Sequence, residues 1–235
     1  MEMHKRFYRG AAYTILSWLI VMTAGLSTGC INPSTLAMPF MLFKEDKEEA
    51  KMPLTKNKKK EVTVVILASF ANPLESRPEV QTVDRELCEK LGQEMKKRFD
   101  ANHEKIKIVP YHKVKSFVNA DPDLNLTTKR EIGKHFNADY VINLEINSMT
   151  FYEGSYRQLF RGSTEIMVSV FDVKGEEGES PIYNDIYRTE YPTHGPIDAG
   201  SESVLSFRTL FMSRLARDLS RWFAAYPVDE RLDMK

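Results

Sequence analysis

Cysteine is nearly absent from this chain. Of 235 residues only Cys30 and Cys88 carry a thiol, too few for the disulfide framework that staples small secreted domains. No excess of one charge is present either. Lys plus Arg and Asp plus Glu each number 33, so no net basic field draws the chain to nucleic acid. His103, His112, His135 and His194 lie far apart, with no cysteine or carboxylate at metal-ligand spacing. The sequence has no G-x-S-x-G turn, no zinc-binding helix and no phosphate loop. No cofactor is expected. The longest apolar segment, residues 11–26, is interrupted by Thr14, Ser17 and Thr23 and falls short of the roughly 20 residues a helix needs to cross a bilayer.

What is present begins at the N-terminus. Lys5, Arg6 and Arg9 precede the apolar segment, which closes on Leu26-Ser27-Thr28-Gly29-Cys30. A basic start, a short apolar core and small residues describe a secretory signal, expected over residues 1–29. The last positions resemble the lipobox of bacterial lipoproteins: Gly29 and Cys30 fit, Thr28 is tolerated, and the usual large aliphatic residue is displaced by one to Leu26. The resemblance implies diacylation of the Cys30 sulfur, cleavage before it and acylation of the new amino terminus. The lipid bilayer then becomes the first partner, since several acyl chains hold a protein on a membrane far more firmly than one. Ile31 is not the aspartate that retains lipoproteins at the inner membrane of enteric bacteria, which favours the outer membrane facing the periplasm, with the inner membrane as the other site.

Residues 30–61 read as a flexible tether. The stretch holds Asn32-Pro33-Ser34, an apolar patch broken by Pro39, the run Lys44-Glu45-Asp46-Lys47-Glu48-Glu49 and Lys58-Lys59-Lys60, too little apolar surface to fold alone. From Val62 the sequence becomes regular. VTVVILASF is a continuous apolar strand suited to a sheet covered over much of both faces. Ser76-Arg77-Pro78-Glu79 has capping-box spacing, and Val80, Val83, Leu87, Leu91, Met95 and Phe99 follow at helical intervals. Cys88 lies on that stripe as a small buried hydrophobe. A short strand at residues 105–109, one or two helical turns bearing Val114, Phe117 and Val118, and a second capping box at Thr128 and Glu131 come next. Strands follow with Tyr140, Ile142, Leu144 and Ile146 on one face, at residues 164–173 and at residues 182–191. A helix over residues 201–226 places Val204, Phe207, Phe211, Leu215, Leu219 and Trp222 on one stripe and Arg214, Arg217 and Arg221 on another. Alternation of strand and helix implies parallel pairing first, and the closely spaced later strands imply antiparallel hairpins. The expected fold is α/β: a two-layer sandwich with a mixed sheet of about five strands, helices packed against it and a long C-terminal helix. It forms one domain over residues 62–227, followed by a tail, residues 228–235.

The segment Ile106-Lys107-Ile108-Val109-Pro110, followed by a short helix and then Ile132-Gly133-Lys134-His135-Phe136-Asn137-Ala138-Asp139-Tyr140-Val141-Ile142, resembles the envelope lipoprotein superfamily that includes CsgG, LpoB and the N-terminal domain of TolB. The chain departs from it where Phe136-Asn137 replaces the commoner leucine-glycine before Ala-Asp. The resemblance spans about residues 62–192 and implies a module that recruits, regulates or assembles envelope components. The residues themselves ask for no catalysis at Asn137-Ala138-Asp139: Asn takes the left-handed conformation that ends a helix, Ala clears the sheet and Asp bonds the turn.

Three functions remain open on the sequence. The first is a non-catalytic, membrane-tethered binding or assembly module whose partner is another envelope protein or itself, with Arg214, Arg217 and Arg221 as a candidate surface for an anionic partner. The second is an envelope hydrolase, with Glu145 and Glu165 as paired carboxylates or Ser163 or Ser169 as nucleophile. The third is a pore-like oligomer built on the hairpin of residues 140–151 and 164–173.

Overall fold

The computed structural model describes residues 46–55, 61–72, 78–120, 128–175 and 180–229. The chain divides into two units, Met1–Asp46 and Lys47–Lys235; the signal segment, Cys30 and the apolar patch before Asp46 lie outside the described residues.

Strand β2 is Val62–Phe70, as the continuous apolar run requires. Val62, Val64 and Ile66 point to one core and Val65 and Leu67 to another, so both faces are covered. Strand β1 is Lys47–Glu48. After β2 come a 3-10 turn at Pro78–Val80, helix α1 at Val83–Ala101, β3 at Ile106–Ile108, α2 at Tyr111–Ala120 and α3 at Lys129–His135. Strands β4, Tyr140–Glu153, and β5, Tyr156–Asp172, form a long hairpin. They precede β6, Tyr183–Tyr191, and β7, Ile197–Asp198. Helix α4, Val204–Ser220, and β8, Tyr226–Pro227, complete the described elements.

The main sheet has the order β3-β2-β4-β5-β6, with β7 continuing the edge along β5. Pairing is parallel from β3 to β2 to β4 and antiparallel from β4 onward, the mixed α/β sheet the element order implies. Helices α1 and α4 cover one face over a core of Leu87, Leu91, Met95, Phe99, Ile142, Leu144, Phe207 and Phe211. Helices α2 and α3 cover the other face at its parallel end, over Val65, Val114, Ile132, Val141 and Val173.

Local chemistry explains the boundaries. Thr128 accepts from the Glu131 amide and Glu131 accepts from the Thr128 amide, the reciprocal capping box that opens α3. Asn137 sits at φ 49, ending the helix in the left-handed region. Ala138 is buried, and the Asp139 carboxylate accepts from the Thr63 amide at 2.8 Å and from Lys174 Nζ at 2.9 Å. That motif therefore fastens the start of β4 to the neighbouring strand.

Several expectations need correction. The start of α1 lies at Val83 and not near Pro78; Thr82 precedes it at φ 67 with no side-chain cap, and Ser76 and Arg77 lie outside the described residues. Strand β5 begins at Tyr156, eight residues before the expected 164, because Gly154 at φ 54 makes a tight hairpin turn. The last helix is shorter than residues 201–226, and Val204 is 41% exposed instead of buried. The largest correction concerns the tether. Residues 47–55 dock on the domain: β1 pairs antiparallel with β8, the Met52 amide donates to the Trp222 carbonyl at 2.7 Å, and Leu54 is 1% exposed. The apolar Met52 and Leu54, separated by one proline, supply the burial that the surrounding charges hide in the sequence.

Candidate interaction surface

Arg214 and Arg217 of α4 and Arg221 at its C-cap come together, but not on an open face. Arg221 is 3% exposed, and all three guanidinium groups act on the buried Asp218 carboxylate. Arg221 Nη1 lies 2.9 Å from Asp218 Oδ1, Arg214 Nε lies 3.9 Å from Oδ2, and the Tyr187 hydroxyl donates to Oδ2 at 3.2 Å. Burial lifts the Asp218 carboxyl above the ordinary aspartate range, against the pull of Arg221, Arg214 and Arg217. Arg214 also lies 4.8 Å from the centre of the Tyr191 ring, and Arg221 lies 5.4 Å from that of Tyr226. The arginine stripe, the candidate surface for an anionic partner, thus faces an internal carboxylate and the tyrosines of β6 and β8. Asp218 is the residue sequence reasoning missed; its only signal was its place four residues after Arg214 and three before Arg221.

The second face of the sheet is different at its antiparallel end. In register across β4, β5 and β6 stand Asn143, Ser169 and Asn184, then Glu145, Met167 and Ile186. At the bulge after Ile146, Asn147 reaches Glu165, whose register partner on β6 is Arg188. Glu145, Ile186 and Arg188 are exposed. Ser169 donates its hydroxyl to Asn184 Oδ1 at 3.0 Å, so its proton is held by an amide and no base draws on it. Glu165 accepts from Arg188 Nε at 2.6 Å and Asn147 Nδ2 at 3.0 Å. Those two hydrogen bonds, Arg188 first, pull its carboxyl below the ordinary glutamate range. A general acid needs the opposite displacement. Glu145 stands opposite Met167, one step diagonal from Glu165 along the sheet, and Ser163 pairs with Thr150 and Glu190 in register. Asn143 is 7% exposed and its carbonyl oxygen has no hydrogen-bond partner among the described residues. A buried acceptor of that kind gains most from a donor brought by a bound partner.

One pH experiment follows. A carboxyl depressed in the folded state contributes stability above its unfolded pKa, and this contribution is lost as pH falls through the lowered folded value. In a carbon-detected NMR titration, Glu165 is expected to titrate below about 4.3, the ordinary glutamate value, and Arg188→Ala is expected to move it back up. A midpoint unchanged by that substitution would show that the Arg188 contact does not persist in solution.

Other candidates are less open. A groove of about 610 Å³ runs along the β3 edge, lined among others by Glu61, Cys88, Gly92, Lys96, Lys107 and Tyr111. Its charges are of both signs, and burial pushes the Cys88 thiol up and out of the reactive range, helped by Asp84 and Glu89. The apolar face of the β4–β5 hairpin, with Ile146, Phe151, Phe160 and Ile166, is buried in the core under α4 and not turned to lipid. Among the described residues no group of three His, Cys, Asp or Glu side chains could hold a metal ion, and no helix is long and apolar enough to cross a membrane.

No protein-family model matches the chain, and no curated protein matches it in sequence. Solved structures do show likenesses. A hypothetical protein of Chlamydia trachomatis superposes with a TM-score of 0.43 at 16% identity, covering 68% of this chain and 93% of the other. The PelC dodecamer protein of Paraburkholderia phytofirmans superposes with a TM-score of 0.40 at 12% identity, covering 76% and 96%. A lipoprotein of Neisseria meningitidis superposes with a TM-score of 0.36 at 8% identity, covering 67% and 98%. These likenesses are of outline and assign no activity to this chain.

Proposed function

We propose that the chain is a bacterial envelope lipoprotein, anchored through acylated Cys30 on the outer membrane and facing the periplasm, whose folded body is a non-catalytic binding or assembly module. The observation that carries the anchor is the N-terminal series of Lys5, Arg6 and Arg9, an apolar core of signal length and Gly29-Cys30. The binding role is supported by the antiparallel end of the sheet. It combines exposed Ile186 and half-buried Met167 with a ladder of amides and the buried Asn143 carbonyl, unpartnered among the described residues, the mixture of apolar contact and fixed polar groups that a protein partner reads. Glu165 and Ser169 on this face are engaged with arginine and amide groups, which suits recognition better than hydrolysis.

Processing is the direct test. In a bacterial host the wild-type chain is expected to sediment with membranes and to give an intact mass that begins at Cys30 and includes acyl chains. Cys30→Ala is expected to lose both properties while its body stays folded. Unchanged sedimentation and mass in the variant would remove the anchor and, with it, the envelope location.

A further inference from the structure

Where residues 47–55 cross the domain, Lys51 enters a notch. Its Nζ lies 3.9 Å from the centre of the Trp222 ring and 3.2 Å from Asp185 Oδ2. The rings of Tyr183 and Tyr187 stand edge-on to Trp222 at 6.0 and 5.7 Å between centroids. The electron-rich indole face beside a carboxylate favours a cation, and indole is the best of the aromatic side chains for this purpose.

Each wall of the notch is held by something other than Lys51. Asp185 Oδ2 accepts from the Tyr183 hydroxyl at 3.1 Å, and Oδ1 accepts from the Ile186 amide at 2.8 Å. The Tyr187 hydroxyl is bonded to Asp218, and the Trp222 backbone is tied to Leu219 and Met52. The Lys51 side chain, by contrast, is 55% exposed and the Asp185 side chain 45%, and an ion pair so exposed is weak and readily exchanged. Buried Leu54 and the Met52 hydrogen bond fasten the segment, while Lys51 fills a site already built.

We propose that the notch of Trp222, Tyr183, Tyr187 and Asp185 is a binding site for a primary alkylammonium group, occupied at rest by the chain's own Lys51 and taken by a lysine of a partner that displaces it. The site is independent of lipidation, so it stands or falls separately from the anchor. Lys51 is then an internal competitor: a partner must outbid a tethered copy of the group it offers, which screens out single free amines and selects partners with further contacts.

The test uses the full chain with Lys51→Ala and n-butylammonium chloride, the lysine side chain as a free molecule, with sodium chloride at equal ionic strength as control. Tryptophan emission and the thermal midpoint are read together. Lys51→Ala is expected to show a saturable emission change and a rise in midpoint with butylammonium. Half-saturation should lie at least about tenfold lower than in the wild type or in Lys51→Ala/Asp185→Asn, and the rise in midpoint should be smaller in Lys51→Ala/Trp222→Phe, which lacks the indole. If Lys51→Ala responds to butylammonium no differently from sodium chloride, or no differently from the wild type, the proposal is overturned. Because Lys51 is on the surface, its removal leaves the fold in place.

Discussion

Phe211→Ala is expected to lower the unfolding free energy by about 3–5 kcal/mol, the usual cost of emptying a buried aromatic site. The ring is 1% exposed and central to the core between α4 and the sheet. Its centroid lies 5.9 Å from Phe151, edge to face, and 6.5 Å from Phe207, stacked. Directly beneath it is Gly162 of β5. A Cβ added there would stand 2.5 Å from Phe211 Cδ2 and 2.7 Å from Cε2, closer than packed carbon atoms allow. Gly162→Ala alone should therefore destabilise by about 1–3 kcal/mol through overpacking. In the double variant the two changes should offset each other in part, because the new methyl group occupies space the ring has left. Urea unfolding of all four proteins gives the coupling energy, expected at about 1–3 kcal/mol in the compensating direction. Simple additivity would mean that the ring does not rest on Gly162.

That pair of residues also shows where the sequence was legible and where it was not. The stripe of Phe207, Phe211, Leu215 and Leu219 could be read because its spacing is repeated locally. Gly162, between Arg161 and Ser163, has the look of a turn residue. Its role in mid-strand is fixed by a ring about fifty residues away, which no local pattern records. The same division holds elsewhere. The Thr128 capping box and the left-handed Asn137 are set by neighbours within a few residues, and both were legible. The start of α1 was not, because Thr82 at φ 67 leads into the helix without a side-chain cap. For the candidate surface, the faces of β4 and β5 followed from alternation. The destination of Arg214, Arg217 and Arg221 depended on Asp218 and on how β6 brings Tyr187 and Tyr191 under α4. A helix with three arginines on one stripe looks solvated until the carboxylate among them is seen to be buried.

Leu54→Ala is expected to release residues 47–55 from the domain without unfolding it. Leu54 is the most deeply buried side chain of that segment and belongs to the main core, while the pairing of β1 with β8 spans only two residues on each side. Leu→Ala in a core removes about 2–5 kcal/mol, and here the loss falls on the docking of a segment held otherwise by a short strand pairing and by hydrogen bonds and ion pairs at the surface. Local opening should respond first. The amide of Met52, bonded to the Trp222 carbonyl at 2.7 Å, should exchange with solvent at least about 25-fold faster in the variant, since each 1.4 kcal/mol corresponds to a factor of ten. The amides of Ile142 and Leu144 in β4 should keep most of their protection. Equal exchange at Met52 in the two proteins would mean that Leu54 does not hold the segment, and the ordered body would then begin at β2.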